Sequence, residues 1–65
     1  MITEIGITAG DILHVLDKKS PVILKEVLKE IDAPHDLILM SLGWLAREGH
    51  VNVIKNGDDY TIKLV

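Results

Sequence analysis

The breakers in this chain constrain its fold more than any other feature. Ser20-Pro21, Asp32-Ala33-Pro34, Gly49 and the run Asn56-Gly57-Asp58-Asp59 divide it into short stretches, each with its own hydrophobic period. Pro disfavours helix in the residue before it, and Asn-Gly is a strong hairpin signal because both residues tolerate positive φ. No breaker is long enough to be a linker, and no repeat or low-complexity tract intervenes. The chain is therefore read as one domain spanning 1–65.

Residues 2–7 alternate apolar and polar only briefly, which predicts an extended lead-in. Thr8 then has the place of an N-cap, with Asp11 three residues on as in a capping box. From Ala9 to about Lys19, Ile12, Leu13, Val15 and Leu16 fall on one helical face and Asp11, His14, Asp17 and Lys18 on the other. Two readings fit Ser20-Pro21. It is either an N-cap followed by Pro at the first helical position, or the lead into a short strand Pro21-Val22-Ile23 before a helix from about Leu24. The β-branched Val22 and Ile23 favour the strand. Leu24, Val27, Leu28 and Ile31 line one face of the second helix.

A third helix is expected from Pro34 or His35 to Glu48, closed by Gly49. Strands His50–Lys55 and Tyr60–Val65 follow, around the turn at 56–59. Helix, short strand, helix, helix, hairpin is the order of an α+β winged helix-turn-helix fold.

Gly6-Ile7-Thr8-Ala9-Gly10 at the first helix and Gly43-Trp44-Leu45-Ala46-Arg47-Glu48 at the end of the third resemble a family of short prokaryotic winged helix-turn-helix proteins of unknown function. The resemblance covers most of the chain. It implies the fold and self-association, and carries no catalytic or binding residue across.

Sixty-five residues bury a thin core, and such domains usually add a disulfide, a metal or a partner. There is no cysteine, and His14, His35 and His50 lack the paired spacing of a zinc site. The formal charge of −3 is unlike that of proteins that live by neutralising phosphate. With Trp44 and Tyr60 alone as large aromatics, the composition also argues against stacking platforms for single strands. The uncharged stretch 37–46 falls well short of the roughly 18 apolar residues of a spanning helix, and the N-terminus reads as no signal sequence. The expectation is a cytoplasmic protein with no membrane contact.

Nothing in the chain reads as catalytic or as holding a cofactor. The glycines fit neither a Walker nor a dinucleotide pattern, and Ser20 and Ser41 have no nucleophile context. His14 and Asp17 lie at i and i+3 on a solvated face, an ordinary surface pairing. Asp58 and Asp59 are turn residues lacking the further oxygens of a calcium loop.

The third helix carries the functional information. Ile38, Leu42 and Leu45 form its core face, yet Leu37, Met40 and Trp44 form a second apolar stripe roughly opposite, and Leu39 adds a third apolar direction. Left in water, the second stripe exposes on the order of 300 Å², typical of a contact surface. Two covers fit it: the apolar N-terminal segment with Ile2, Ile5 and Ile7, or a second copy of the chain. The reading taken is a non-catalytic, protein-associating module that forms a homodimer through Leu37, Met40 and Trp44. The alternative is a DNA-binding regulator using the third helix and the wing, with Arg47, Lys55, Asn56 and Lys63 as contacts. The acidic balance and the start of that helix, with His35, Asp36, Leu39 and Met40, argue against it.

Overall fold

The computed structural model describes residues 1–65 throughout. Its elements run α1 (Ile2–Lys19), β1 (Val22–Ile23), α2 (Leu24–Glu30), α3 (His35–Arg47), β2 (Val51–Asn56) and β3 (Asp59–Leu64). This is the expected order, with one substantial correction. Residues 2–7 are not an extended lead-in but the first turns of α1, and Thr8 is not a cap but a buried residue within the helix. Tertiary packing overrides weak local propensity here. Ile5, Thr8, Ala9, Ile12 and Leu16 keep helical spacing, so the core stripe continues well before Ala9.

The C-terminal end of α1 is fixed from two directions. Ser20 N–H donates to the Leu16 carbonyl at 2.8 Å. Lys19 Nζ reaches Glu26 at 3.5 Å and also pairs with Glu30, tying α1 to the start and end of α2. Val22 and Ile23 form the short strand favoured from sequence, pairing antiparallel with Ile62 and Thr61.

α3 ends as Gly49 predicts. Gly49 has φ of 81°. Its N–H donates to the Ala46 carbonyl at 3.1 Å, and that of His50 to the Leu45 carbonyl at 3.0 Å. These two bonds are a Schellman closure, which turns the chain straight into β2.

The hairpin is tighter than the sequence reading, and each strand shifts by a residue. Asn56 pairs with Asp59, leaving Gly57-Asp58 as the loop. Only Gly57 has positive φ there, at 58°, and no non-glycine residue does anywhere. Gly at the first central position is the pattern of a type II′ turn. The sheet order is β1-β3-β2, so the last strand in sequence is the middle one in space.

One contiguous core joins every element. Ala9, Ile12 and Leu16 of α1 meet Ile38, Leu42 and Leu45 of α3 in a cluster that also holds Val22, Val27, Ile31, Val51 and Ile62. The hydrophobic core residues expected on α3 are all buried. Ser41, also buried, donates its hydroxyl to the Leu37 carbonyl at 2.8 Å, so it enters the core without an unpaired polar atom.

A candidate association surface on two flanks of α3

With Ile38 and Leu45 on the core side, α3 turns its other residues onto two flanks. Trp44 lies on the flank facing α1, where it lines a cleft of about 280 Å³ with Ile2, Ile5 and Gly6. Trp44 is 47 % exposed and Met40 44 %. Leu37 is half-buried and offers least to a partner. The stripe named from sequence is therefore a flank centred on Trp44 rather than a face opposite the core. The Trp44 ring also stands 6.4 Å from that of His50, tilted by 41°.

The N-terminal segment is a partial cover for this stripe. The first turns of α1 do lie beside Trp44 in the same chain, since Ile5 and Gly6 line its cleft. They cover it only partly, and Ile2, 88 % exposed, adds to the apolar surface instead of hiding it.

The other flank of α3 was not legible as a site. Leu39, Leu42, Gly43 and Ala46 face Val53 and Tyr60 of the hairpin and Leu24 of α2 across an apolar groove of about 500 Å³. Leu39 is 48 % exposed. The signal in the sequence is the third apolar direction of the helix, and the packing of the hairpin against α3 sets Val53 and Tyr60 opposite it.

Arg47, Lys55, Asn56 and Lys63 do not converge. Arg47 is exposed in the last turn of α3. Lys55 faces Tyr60 in the register, and its Nζ sits 4.9 Å from that ring's centroid. Lys63 faces Asn52, and side chains alternate along a strand, so Lys55 and Lys63 project from opposite faces of the sheet. Asn56 is engaged locally, donating its side-chain N–H to the Thr61 hydroxyl. At the start of α3, Asp36 is exposed and its carboxylate accepts the Leu37 N–H at 2.8 Å.

His14 and Asp17 both stand on the exposed side of α1. His14 shares a shallow hollow with Asp11, Glu30 and Asp32, but no three such groups are placed to hold a metal ion. No helix is long and apolar enough to cross a membrane.

Three helices and a three-stranded antiparallel sheet, with a hairpin beside the third helix, define a winged helix-turn-helix domain. The chain belongs to the family described as Winged helix-turn-helix domain (DUF2582), whose model matches residues 1–64. It is similar to the uncharacterised protein MJ1608 of Methanocaldococcus jannaschii, with 36 % identity over 63 residues, covering 94 % of this chain and 90 % of that protein. No solved structure matches it.

Proposed function

We propose that this winged helix is a non-catalytic cytoplasmic module that works by self-association, two copies meeting through Trp44, Met40 and Leu37 with the first turns of α1. The observation that carries the reading is the half-exposed Trp44 at the mouth of a cleft lined by Ile2, Ile5 and Gly6. Trp and Met are enriched at interface centres, and a Trp that enters a partner's pocket is often its energetic anchor. An isologous contact presents each copy's Trp44 and each copy's cleft to the other.

Sedimentation across a concentration series tests this. The wild-type chain should dimerise, with Trp emission moving red on dilution. Trp44→Glu should be monomeric with its helical circular dichroism retained, because the charge would enter the seam from both copies. A wild-type chain that stays monomeric at high micromolar concentration would sink the reading.

DNA binding by the same dimer is the second reading, favoured by the winged helix-turn-helix family and by the exposed Arg47, Lys55 and Lys63. The divergence of Lys55 and Lys63 and the apolar groove between α3 and the hairpin weigh against it. A duplex complex that weakens with salt, and that Arg47→Ala and Lys55→Ala both loosen, would put this reading first.

A further inference from the structure

β2 is an edge strand, with β3 on one side and no strand on the other. The phase of the ladder tells which of its main-chain groups face the open side. Val65 N–H donates to the His50 carbonyl at 3.2 Å, and the Asn56–Asp59 pair closes the two-residue loop. Hydrogen-bonded and non-hydrogen-bonded pairs alternate in an antiparallel ladder. His50 therefore turns its C=O toward β3, Asn52, Ile54 and Asn56 turn both their N–H and C=O groups toward it, and Val51, Val53 and Lys55 turn theirs outward. The register runs without a bulge from Val51–Leu64 to Asn56–Asp59, and the strand holds no proline. Lys55 is the one charged residue that discourages pairing.

The side chains of this edge are complementary to those of a second copy of the chain. Consider two β2 strands running antiparallel about a two-fold axis at Ile54. Ile54 then faces Ile54 of the second copy, and Asn52 faces Asn56. Val53 lies beside the stem of the other Lys55 on the opposite face of the sheet. Ile54 is 49 % exposed and Val53 40 %, so both gain cover. Asn56 already gives its side-chain N–H to Thr61, which leaves its carbonyl oxygen free to accept from Asn52 of the other chain. Centring the pairing on Asn52, Val53 or Lys55 instead sets a polar side chain against Ile54. The Lys55 register also opposes two ammonium groups, and like charges directly across a sheet are destabilising.

We propose that the free edge of β2 is a second self-association site, joining two copies into one continuous sheet in the register centred on Ile54. The contact uses none of the residues that line the Trp44 cleft. A strand edge of this length covers less than the roughly 800 Å² per partner of a standard stable interface. The contact is therefore weak and fills at the upper end of the concentration range.

Residue-resolved amide exchange on the full chain, from low micromolar to millimolar concentration, tests it. Val53 and Lys55 N–H groups, open to water in one copy, should gain about tenfold or more in protection as concentration rises. The Ile54 N–H, already bonded to β3, should change far less. Ile54→Lys should remove the concentration dependence. Should that variant misfold, the wild-type series decides alone. Val53 and Lys55 amides that exchange equally fast at every concentration, or that are equally protected at every concentration, would overturn the proposal. Trp44→Glu separates the two contacts. If it leaves the Val53 and Lys55 protection intact while the protein still dimerises, the Trp44 reading fails and the edge stands. If it abolishes dimers while the wild-type edge amides stay fast, the reverse holds.

Discussion

The Ser20 hydroxyl accepts the backbone N–H of Leu64 at 3.0 Å, joining the residue that ends α1 to the last residue of β3. β1 pairs only with Ile62 and Thr61, so this side-chain bond continues the ladder one step beyond the strand. Ser20→Ala should cost about 0.5–1.5 kcal/mol, the net contribution of an ordinary hydrogen bond. Chemical denaturation would measure it. An unchanged midpoint would mean that water replaces the hydroxyl without loss.

Truncation on the two sides of α3 should separate core from surface. Leu45 is fully buried and Leu39 nearly half exposed. Leu45→Ala should cost on the order of 2–5 kcal/mol, enough to unfold much of so small a domain. Leu39→Ala should stay within about 0.5 kcal/mol of the parent as a monomer. Comparable melting temperatures for the two variants would contradict the assignment of the core face.

Glycines at the end and in the middle of α3 should respond with opposite signs to alanine. Gly49 sits at φ of 81°, where a Cβ is strained whatever the space around it. Gly49→Ala should destabilise by about 1–2 kcal/mol. A Cβ at Gly43 meets nothing within 4 Å. Gly43→Ala should stabilise the monomer by up to about 1 kcal/mol through helix propensity. Thermal melts at low concentration would read both signs.

The link between α1 and α2 predicts a pH profile. The Lys19 hydrogen bond holds the Glu30 carboxyl below its ordinary value of 4.5. Glu30 in turn holds the Lys19 ammonium above its ordinary 10.5. A depressed carboxyl stabilises the fold above its unfolded value, and that contribution is lost as pH falls from about 4.5 through the lower folded value. A raised ammonium stabilises below its unfolded value, and the contribution is lost as pH rises from about 10.5 through the higher folded value. The groups are exposed, so the effect on melting temperature should be small. Lys19→Met should flatten both limbs of the profile, and an unaltered profile would remove this pairing from the account.

The elements legible in the sequence are those bounded by residues with one local solution. Pro21 and Pro34, Gly49 after α3 and Gly57 in the hairpin each dictate a backbone conformation wherever they occur, so α2, α3 and the hairpin stood within a residue or two of their places. The start of α1 was hidden because its cause is not local. Ile2, Thr3, Ile5, Ile7 and Thr8 are β-branched, and Gly6 and Gly10 weaken a helix further. What makes this segment helical is the cover it gives the core through Ile5, Thr8 and Ala9, and a plausible N-cap at Thr8 masked that spacing. On α3 the sequence showed too many apolar directions for one buried face. It could not tell that α1 flanks Trp44 while the hairpin flanks Leu39, because which side of α3 each neighbour packs on is set by the tertiary fold.

The sheet order has a consequence for how the protein is made. β3 lies between β1 and β2, and Ile62 is fully buried in the core opposite Val22, more than half the length of the chain away. Synthesis runs from the N-terminus at roughly 5–20 residues per second. α1, β1, α2 and α3 must therefore all emerge before the strand that unites the sheet exists. Until residues 59–64 clear the ribosome, β1 has no partner and Val51 and Val53 lie on an unpaired strand. The core is incomplete without Ile62, and a stop codon anywhere after α3 but before it would release the helices without the wall they pack against.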